Sequence, residues 1–173
     1  SNRQWNTSNV NKYESSAINT WLNGDFFNSL GSVEQATIKQ VKIPYRKNGG
    51  HGGTDQSGAN GLPAKIFLLS GYEVGWTTSD DSDFPVDGAK LDYFTSGTTT
   101  SANNKRIAYL NGSAAYWWLR SPNNSYSSRV WYVHSDGGYY YYYAYSSYGI
   151  RPALVLPSNA LFDETTMLLK GAK

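Results

Sequence analysis

Short apolar runs separated by long polar stretches, with little sustained helical periodicity, dominate the chain. Ile18, Trp21 and Leu22 recur at helical spacing between Ser15 and Leu22, with Asn23-Gly24 as a stop, so a short helix is predicted there with Trp21 in the core. Ser32-Val33-Glu34-Gln35 has the S-x-x-Q form of a capping box and predicts a second short helix from Ser32 towards Ile38. Val41 to Tyr45 reads as extended. Lys65 to Ser70, bounded by Pro63 and Gly71, is almost continuously apolar and predicts a central strand buried on both faces. The C-terminal third is β in character, with strands at Tyr116–Arg120, Arg129–His134, Tyr139–Tyr145 and Ile150–Leu156. Asp136-Gly137 between two aromatic strands predicts a hairpin with a tight primed turn. Alternation places Trp131 and Val133 on one face and Tyr132 and His134 on the other, so one face packs and one meets solvent or ligand.

Between these elements, Asn48 to Gly61 is rich in Gly, Ser, Asn and Asp and reads as a mobile surface loop. Thr77 to Asn104, with the acidic turn Asp80-Asp81-Ser82-Asp83, reads as a long excursion over the surface. The length of 173 residues fits one domain, residues 1–173, of α+β class: two short N-terminal helices, a mainly antiparallel twisted sheet and long surface loops.

Composition changes this picture at one place. Nine of the fifteen tyrosines lie between Tyr126 and Tyr148, interleaved with Ser, Asn and Gly. Tyrosine offers large, rigid, amphipathic contact area at low entropic cost, and the small polar residues offer adaptable hydrogen bonds, which is a composition for recognition. The candidate ligand-binding segment is residues 123–148. Its candidate contacts are Asn124, Ser125, Tyr126, Ser127, Ser128, Tyr132, His134, Tyr139, Tyr140, Tyr141, Tyr142, Tyr143, Tyr145, Ser146, Ser147 and Tyr148. Alternation sends some of these rings inward. Four or five exposed rings, at about 150–250 Å² each, would supply most of the roughly 800 Å² that one side of a standard protein interface buries. Trp117, Trp118, Leu119, Val133, Leu154 and Leu156 read as core, and Arg120, Arg151 and Pro152 as scaffold, the two arginines buried and paired.

Other chemistries fit poorly. A formal charge of +2 gives no broad basic field, and Arg129 is the one Lys or Arg in the tyrosine-rich segment, so nucleic acid is not an expected partner. No apolar run is long enough for membrane insertion, and the chain reads as a segment cut or processed from a longer protein. With no cysteine there is no disulfide framework and no thiolate. His51-Gly52-Gly53 lacks the G-x-S-x-G elbow that would make it part of a serine hydrolase. His51 and His134 lie in separate polar segments, and the acidic turn lacks the glycine and terminal glutamate of a calcium loop. No metal ligand, cofactor or catalytic residue is assigned.

Trp117-Trp118-Leu119-Arg120-Ser121-Pro122, then Ser135-Asp136-Gly137, then Tyr148-Gly149-Ile150-Arg151-Pro152-Ala153-Leu154 resemble the WLRSP … SDG … GVRPAL signature of a bacterial family of C-type-lectin-like domains. Ile18 to Phe26 resembles the family's "WLN-DF" opening, and Ile66 to Ser70 its "FLLS" strand. The signature is also that of the variable proteins of diversity-generating retroelements, in which adenine-directed mutagenesis turns asparagine codons into codons for Tyr, Ser, His or Asp. The resemblance implies a C-type-lectin-like fold, related to the sulfatase-modifying-factor type. It implies a non-catalytic domain, displayed outside the cell or on a phage, that binds a protein ligand on another cell or molecule. A calcium-independent, glycan-binding lectin-like domain is the alternative, and an unrecognised hydrolase is a second.

Overall fold

The structure, a computed structural model, describes residues 1–172 as a mostly β fold with a few short helices and twisted, mainly antiparallel sheets. The first half carries β1 (Asn2–Gln4), α1 (Ala17–Trp21), α2 (Ser32–Thr37), β2 (Val41–Ile43), β3 (Tyr45–Lys47), β4 (Thr54–Gln56), β5 (Leu62–Ala64) and β6 (Ile66–Leu68). The second half carries α3 (Thr100–Asn104), β7 (Ala108–Leu110), β8 (Ser113–Ala115), β9 (Trp117–Pro122), β10 (Arg129–Val133), β11 (Tyr139–Tyr143), β12 (Ser147–Gly149), β13 (Pro152–Leu154), β14 (Ala160–Phe162) and β15 (Leu169–Ala172). A five-stranded sheet runs in the order β1-β12-β9-β10-β11, antiparallel except for the parallel contact of β12 with β9. Among the described residues the other strands form five two-stranded ladders.

Both predicted helices form, with local corrections. Ser16 caps α1 by accepting the Asn19 N–H. Past Trp21 the chain widens into a π turn, Leu22–Phe26, where the Asn23 side chain accepts from Lys65 N–H and donates to the Ile66 carbonyl, each at 2.9 Å, tying the helix to β6. Trp21 is half-buried beneath the Arg3 guanidinium. The capping box at Ser32 does not form. Gly31 is the N-cap, and Gln35 donates to the Leu30 carbonyl instead.

The central strand is β9, whose six residues are all buried, and not β6. Strand β6 is buried as predicted but, among the described residues, pairs only with β13. Between Tyr132 and Val130 the facing register on β9 jumps from Trp118 to Pro122. This bulge turns Leu119–Ser121 away from β10, so that Arg120 N–H meets the Leu69 carbonyl at 2.9 Å.

Under that bulge Arg120, 1 % exposed, is bound bidentately by Glu73, with both contacts at 2.6 Å, and donates to the carbonyls of Pro44, Leu68 and Asp87. Ser121 donates to Asp87 Oδ2 at 2.7 Å and accepts from Gly71 N–H. Each buried donor of the arginine therefore has an acceptor, the condition under which a buried cation is tolerated. The pairing predicted for Arg120 is present. Arg151 is half-buried and stacked near Trp117 and Phe94, and its Nη1 has no acceptor.

Three further expectations are corrected. Asn48 to Gly61 is no loose loop: β3 and β4 form a hairpin there, and Gly50 is buried where a Cβ would collide with the Asn123 carbonyl at 1.8 Å. Thr77 to Asn104 is irregular up to α3 but lines the core, burying Phe84, Asp87, Phe94 and Ala102. Leu154 is exposed on β13 and Leu156 is only partly buried, because β13 ends the ladder with β6 and leaves that side to solvent.

The hairpin between β10 and β11 is present, but its turn is not of the primed type. Gly137 N–H bonds to the His134 carbonyl and His134 N–H to the Gly138 carbonyl, and Gly137 is the only residue of the turn with positive φ (+81°). That is a type I turn closed by a left-handed glycine. Glycine is needed there twice over, because a Cβ would also meet the Asn103 carbonyl at 2.0 Å.

Candidate aromatic recognition face

Strand β11 sorts the tyrosine run by parity. Tyr140 and Tyr142 are exposed at 53 % and 47 %, whereas Tyr139, Tyr141 and Tyr143 are half-buried. The even-numbered rings join residues of three other strands on one face of the sheet. Trp118, Tyr132 and Tyr140 stand opposite one another across β9, β10 and β11. Tyr148 packs 4.6 Å from both Trp118 and Tyr132, and Tyr116 lies 5.4 Å from Tyr148 and 4.6 Å from His134. His134 and Tyr140 close the array at 5.1 Å. Trp118 and Tyr132 are its buried floor, and Tyr116, Tyr140 and Tyr142 its exposed crest.

The floor is held rigidly. Trp118 Nε1 donates to the Arg3 carbonyl at 3.1 Å. Burial first, and then the neighbouring Tyr148, pushes the Tyr132 phenol well above its ordinary value, and burial does the same to Tyr148. The floor thus stays neutral, a set of fixed dipoles under an apolar crest. His134 Nδ1 lies 3.0 Å from Asp136 Oδ1, whose carboxyl is held low chiefly by the Gly138 N–H.

The odd-numbered rings lie on the opposite face. Tyr139 wedges between Trp76, Phe84 and Trp131, with centroids 5.3–5.6 Å away, and its hydroxyl donates to the Asp80 carbonyl at 2.8 Å. Its phenol is raised, mainly by burial and then by Asp81 and Asp80. Tyr141 stands edge-on to Trp131 at 5.0 Å and 5.8 Å from Tyr126, while Tyr143 stacks on Tyr145. Asn124 and Ser125 are tied down on the Asp83 turn: Asn124 donates to the Phe84 carbonyl, and Ser125 Oγ donates to Asp83 Oδ1 at 2.5 Å. Ser127 and Ser147 are exposed, and Ser128 and Ser146 half-buried. Ser147 faces Gln4 in the β12–β1 ladder.

The predicted contacts therefore do not converge on one surface. Tyr132, His134, Tyr140, Tyr142 and Tyr148 share one face; Tyr126, Tyr139, Tyr141, Tyr143 and Tyr145 belong to the other side. Tyr132 is buried and Tyr139 is half-buried against the core. The rings also shield one another: the exposed fractions of Tyr116, Tyr140 and Tyr142 leave roughly 200–350 Å² of open aromatic surface, well short of one side of an interface. Sequence reasoning missed Tyr116, although its position two residues before Trp118 signals the same face.

The acidic turn is a network of local caps. Asp80 Oδ2 accepts from Thr77 N–H, and Asp81 Oδ1 from Asp83 N–H. Among the described residues no three His, Cys, Asp or Glu side chains gather as a metal would require, and no helix is long and apolar enough to cross a membrane.

A family model described as a domain of unknown function, DUF6273, matches residues 1–158. The chain belongs to that family. The match takes in the whole five-stranded sheet, so the aromatic face of this DUF6273 domain lies inside it, whereas β14 and β15 lie beyond it. No curated protein and no solved structure matches the chain.

Proposed function

We propose that this DUF6273 domain is a non-catalytic recognition module of C-type-lectin-like fold that binds a protein surface through the face crested by Tyr116, Tyr140 and Tyr142. The observation that carries the reading is the array of packed rings that Trp118, Tyr132, Tyr140, Tyr142 and Tyr148 form on one face of the sheet, with Tyr116, Tyr140 and Tyr142 exposed at its crest. Within the segment Trp131 and Tyr132 are buried and support the fold, while Tyr126, Tyr140, Tyr142 and Tyr145 are exposed. Because the open crest is small, the partner must also bury the half-exposed flanks of His134 and Tyr148 and hydrogen-bond to the phenol hydroxyls. The resemblance to retroelement variable proteins offers a reason for such a surface, a segment rewritten to meet new ligands on other cells, and on this reading the domain is displayed outside its own cell or on a phage.

The test is the DNA beside the gene. A near-identical downstream copy of the codons for residues 123–148, differing at adenines and accompanied by a reverse transcriptase gene, is expected. If the neighbouring DNA holds neither, diversification is ruled out and a fixed binding surface is left.

One observation favours a glycan as the second reading. A cavity of about 300 Å³ adjoins the aromatic face, lined by Tyr116 and Tyr148 together with Asn2, Asn111, Ser113 and Ser135, a ring platform with neutral hydrogen-bonding groups. A Tyr116→Ala variant that loses binding on a glycan array would support it.

A further inference from the structure

Strand β11 is the outer strand of the main sheet and, among the described residues, pairs only with β10. Ala144 N–H bonds to the Ser128 carbonyl and His134 N–H to the Gly138 carbonyl at the two ends of the ladder, which makes Val130/Tyr142 and Tyr132/Tyr140 the mutually bonded pairs. Tyr140 and Tyr142 therefore turn their backbone groups towards β10, and Tyr139, Tyr141 and Tyr143 turn theirs outward. Among the described residues only one of those outward groups has a backbone partner, the Tyr143 carbonyl, which accepts from Ser146 N–H at 2.9 Å. The ladder is regular over five residue pairs, and the strand carries no lysine, proline or bulge of the kind that blocks an open edge.

Next to this edge sits a cation with nothing to neutralise it. Arg129 Cζ lies 4.3 Å from the ring centroid of Tyr126, 5.1 Å from that of Tyr143 and 5.3 Å from that of Tyr141. Ring contacts engage the faces of a guanidinium and leave its in-plane N–H donors free. Among the described residues no carboxylate, carbonyl or hydroxyl accepts from them. The one acidic residue of the segment, Asp136, is engaged at the hairpin tip by Gly138 N–H.

From these two observations we infer that the open edge of β11 takes an extended, acidic segment of a partner protein as a sixth strand, with a partner carboxylate bound by Arg129. The inference rests on the reading of the domain as a protein binder and gives its mode: backbone pairing along the edge supplies affinity that the small aromatic crest does not, and the held guanidinium selects acidic sequences. Tyr140 and Tyr142 lie on the same strand, so an added strand would pass directly beside the aromatic face.

The test is a titration of the domain with the peptide acetyl-Thr-Glu-Thr-Glu-Thr-Glu-Thr-amide and with its lysine counterpart, read by amide hydrogen exchange and by backbone NMR shifts. The glutamate peptide is expected to protect the amides of Tyr139, Tyr141 and Tyr143 by at least about tenfold, while those of Tyr140 and Tyr142, already bonded, stay unchanged. It should bind at least about tenfold more tightly than the lysine peptide, and Arg129→Gln should erase that preference. Shifts confined to Tyr116, Tyr140 and Tyr142 without protected edge amides would overturn the strand-addition mode and leave the aromatic-face reading standing. Binding by neither peptide, or edge protection that grows with protein concentration in the absence of peptide and so marks a second copy as the occupant, would overturn it as well.

Discussion

Replacing Asp87 by asparagine removes a proton-binding group from the interior. Asp87 is fully buried; its Oδ2 accepts from Ser121 at 2.7 Å and its Oδ1 has no partner. With Glu73 it gives the cluster two carboxylates for the single Arg120 cation. Burial, opposed in part by Arg120 and the Ser121 hydrogen bond, pushes the Asp87 carboxyl up from 3.8 to about 7. Between those values the folded chain holds a proton that the unfolded chain has released, so stability falls as pH rises. The contribution is complete below pH 3.8 and gone above about pH 7. A rise of about three units at 1.36 kcal/mol each amounts to about 4 kcal/mol across the window. In a domain of this size that corresponds to a fall in Tm of roughly 8–16 °C between pH 4 and pH 8. Thermal and urea denaturation of both proteins across that range checks it. The Asp87→Asn profile is expected to lack this descending component, and an identical pH slope in the two proteins would refute the reasoning.

Arg120→Ala should destabilise by about 3–5 kcal/mol in urea denaturation, because Glu73 is left buried and unpaired. Arg151→Ala, which loses ring stacking on Trp117 and no ion pair, should cost about 0.5–2 kcal/mol in the same assay. Gly137→Ala forces a left-handed residue and a clash with the Asn103 carbonyl, so its urea midpoint should fall by the equivalent of at least about 1–3 kcal/mol. Tyr132→Ala should cost about 3–5 kcal/mol, as for other large buried aromatics, whereas Tyr140→Ser and Tyr142→Ser should each cost under about 1 kcal/mol. Equal losses at Tyr132 and Tyr140 would mean that floor and crest are not distinct.

What the sequence made legible was governed by local rules. The helix at Ile18–Leu22, the aromatic strands and the fact that the rings of Tyr139 to Tyr143 alternate follow from spacing alone, and the structure keeps them; which parity faces solvent does not. What it concealed depends on distant partners. Lys65 to Ser70 has the apolar run of a central strand, yet its burial comes from Arg120, Tyr13 and β13, not from strands on both sides. Thr77 to Asn104 looks polar because its few large apolar residues are widely spaced, but Phe84 fills the gap between Trp76 and Trp131. The aromatic face was half visible: tyrosine density marked the segment, while the division between two opposite faces required the cross-strand register that sets Trp118, Tyr132 and Tyr140 side by side.

Selection of displayed protein fragments on the immobilised domain, followed by affinity measurement of the enriched binders against a Tyr140→Ser/Tyr142→Ser double variant of unchanged fold, tests the recognition face most directly. The account predicts that binders lose at least about tenfold in affinity for the variant, about 1.4 kcal/mol. Binders that hold both proteins equally well would contradict it.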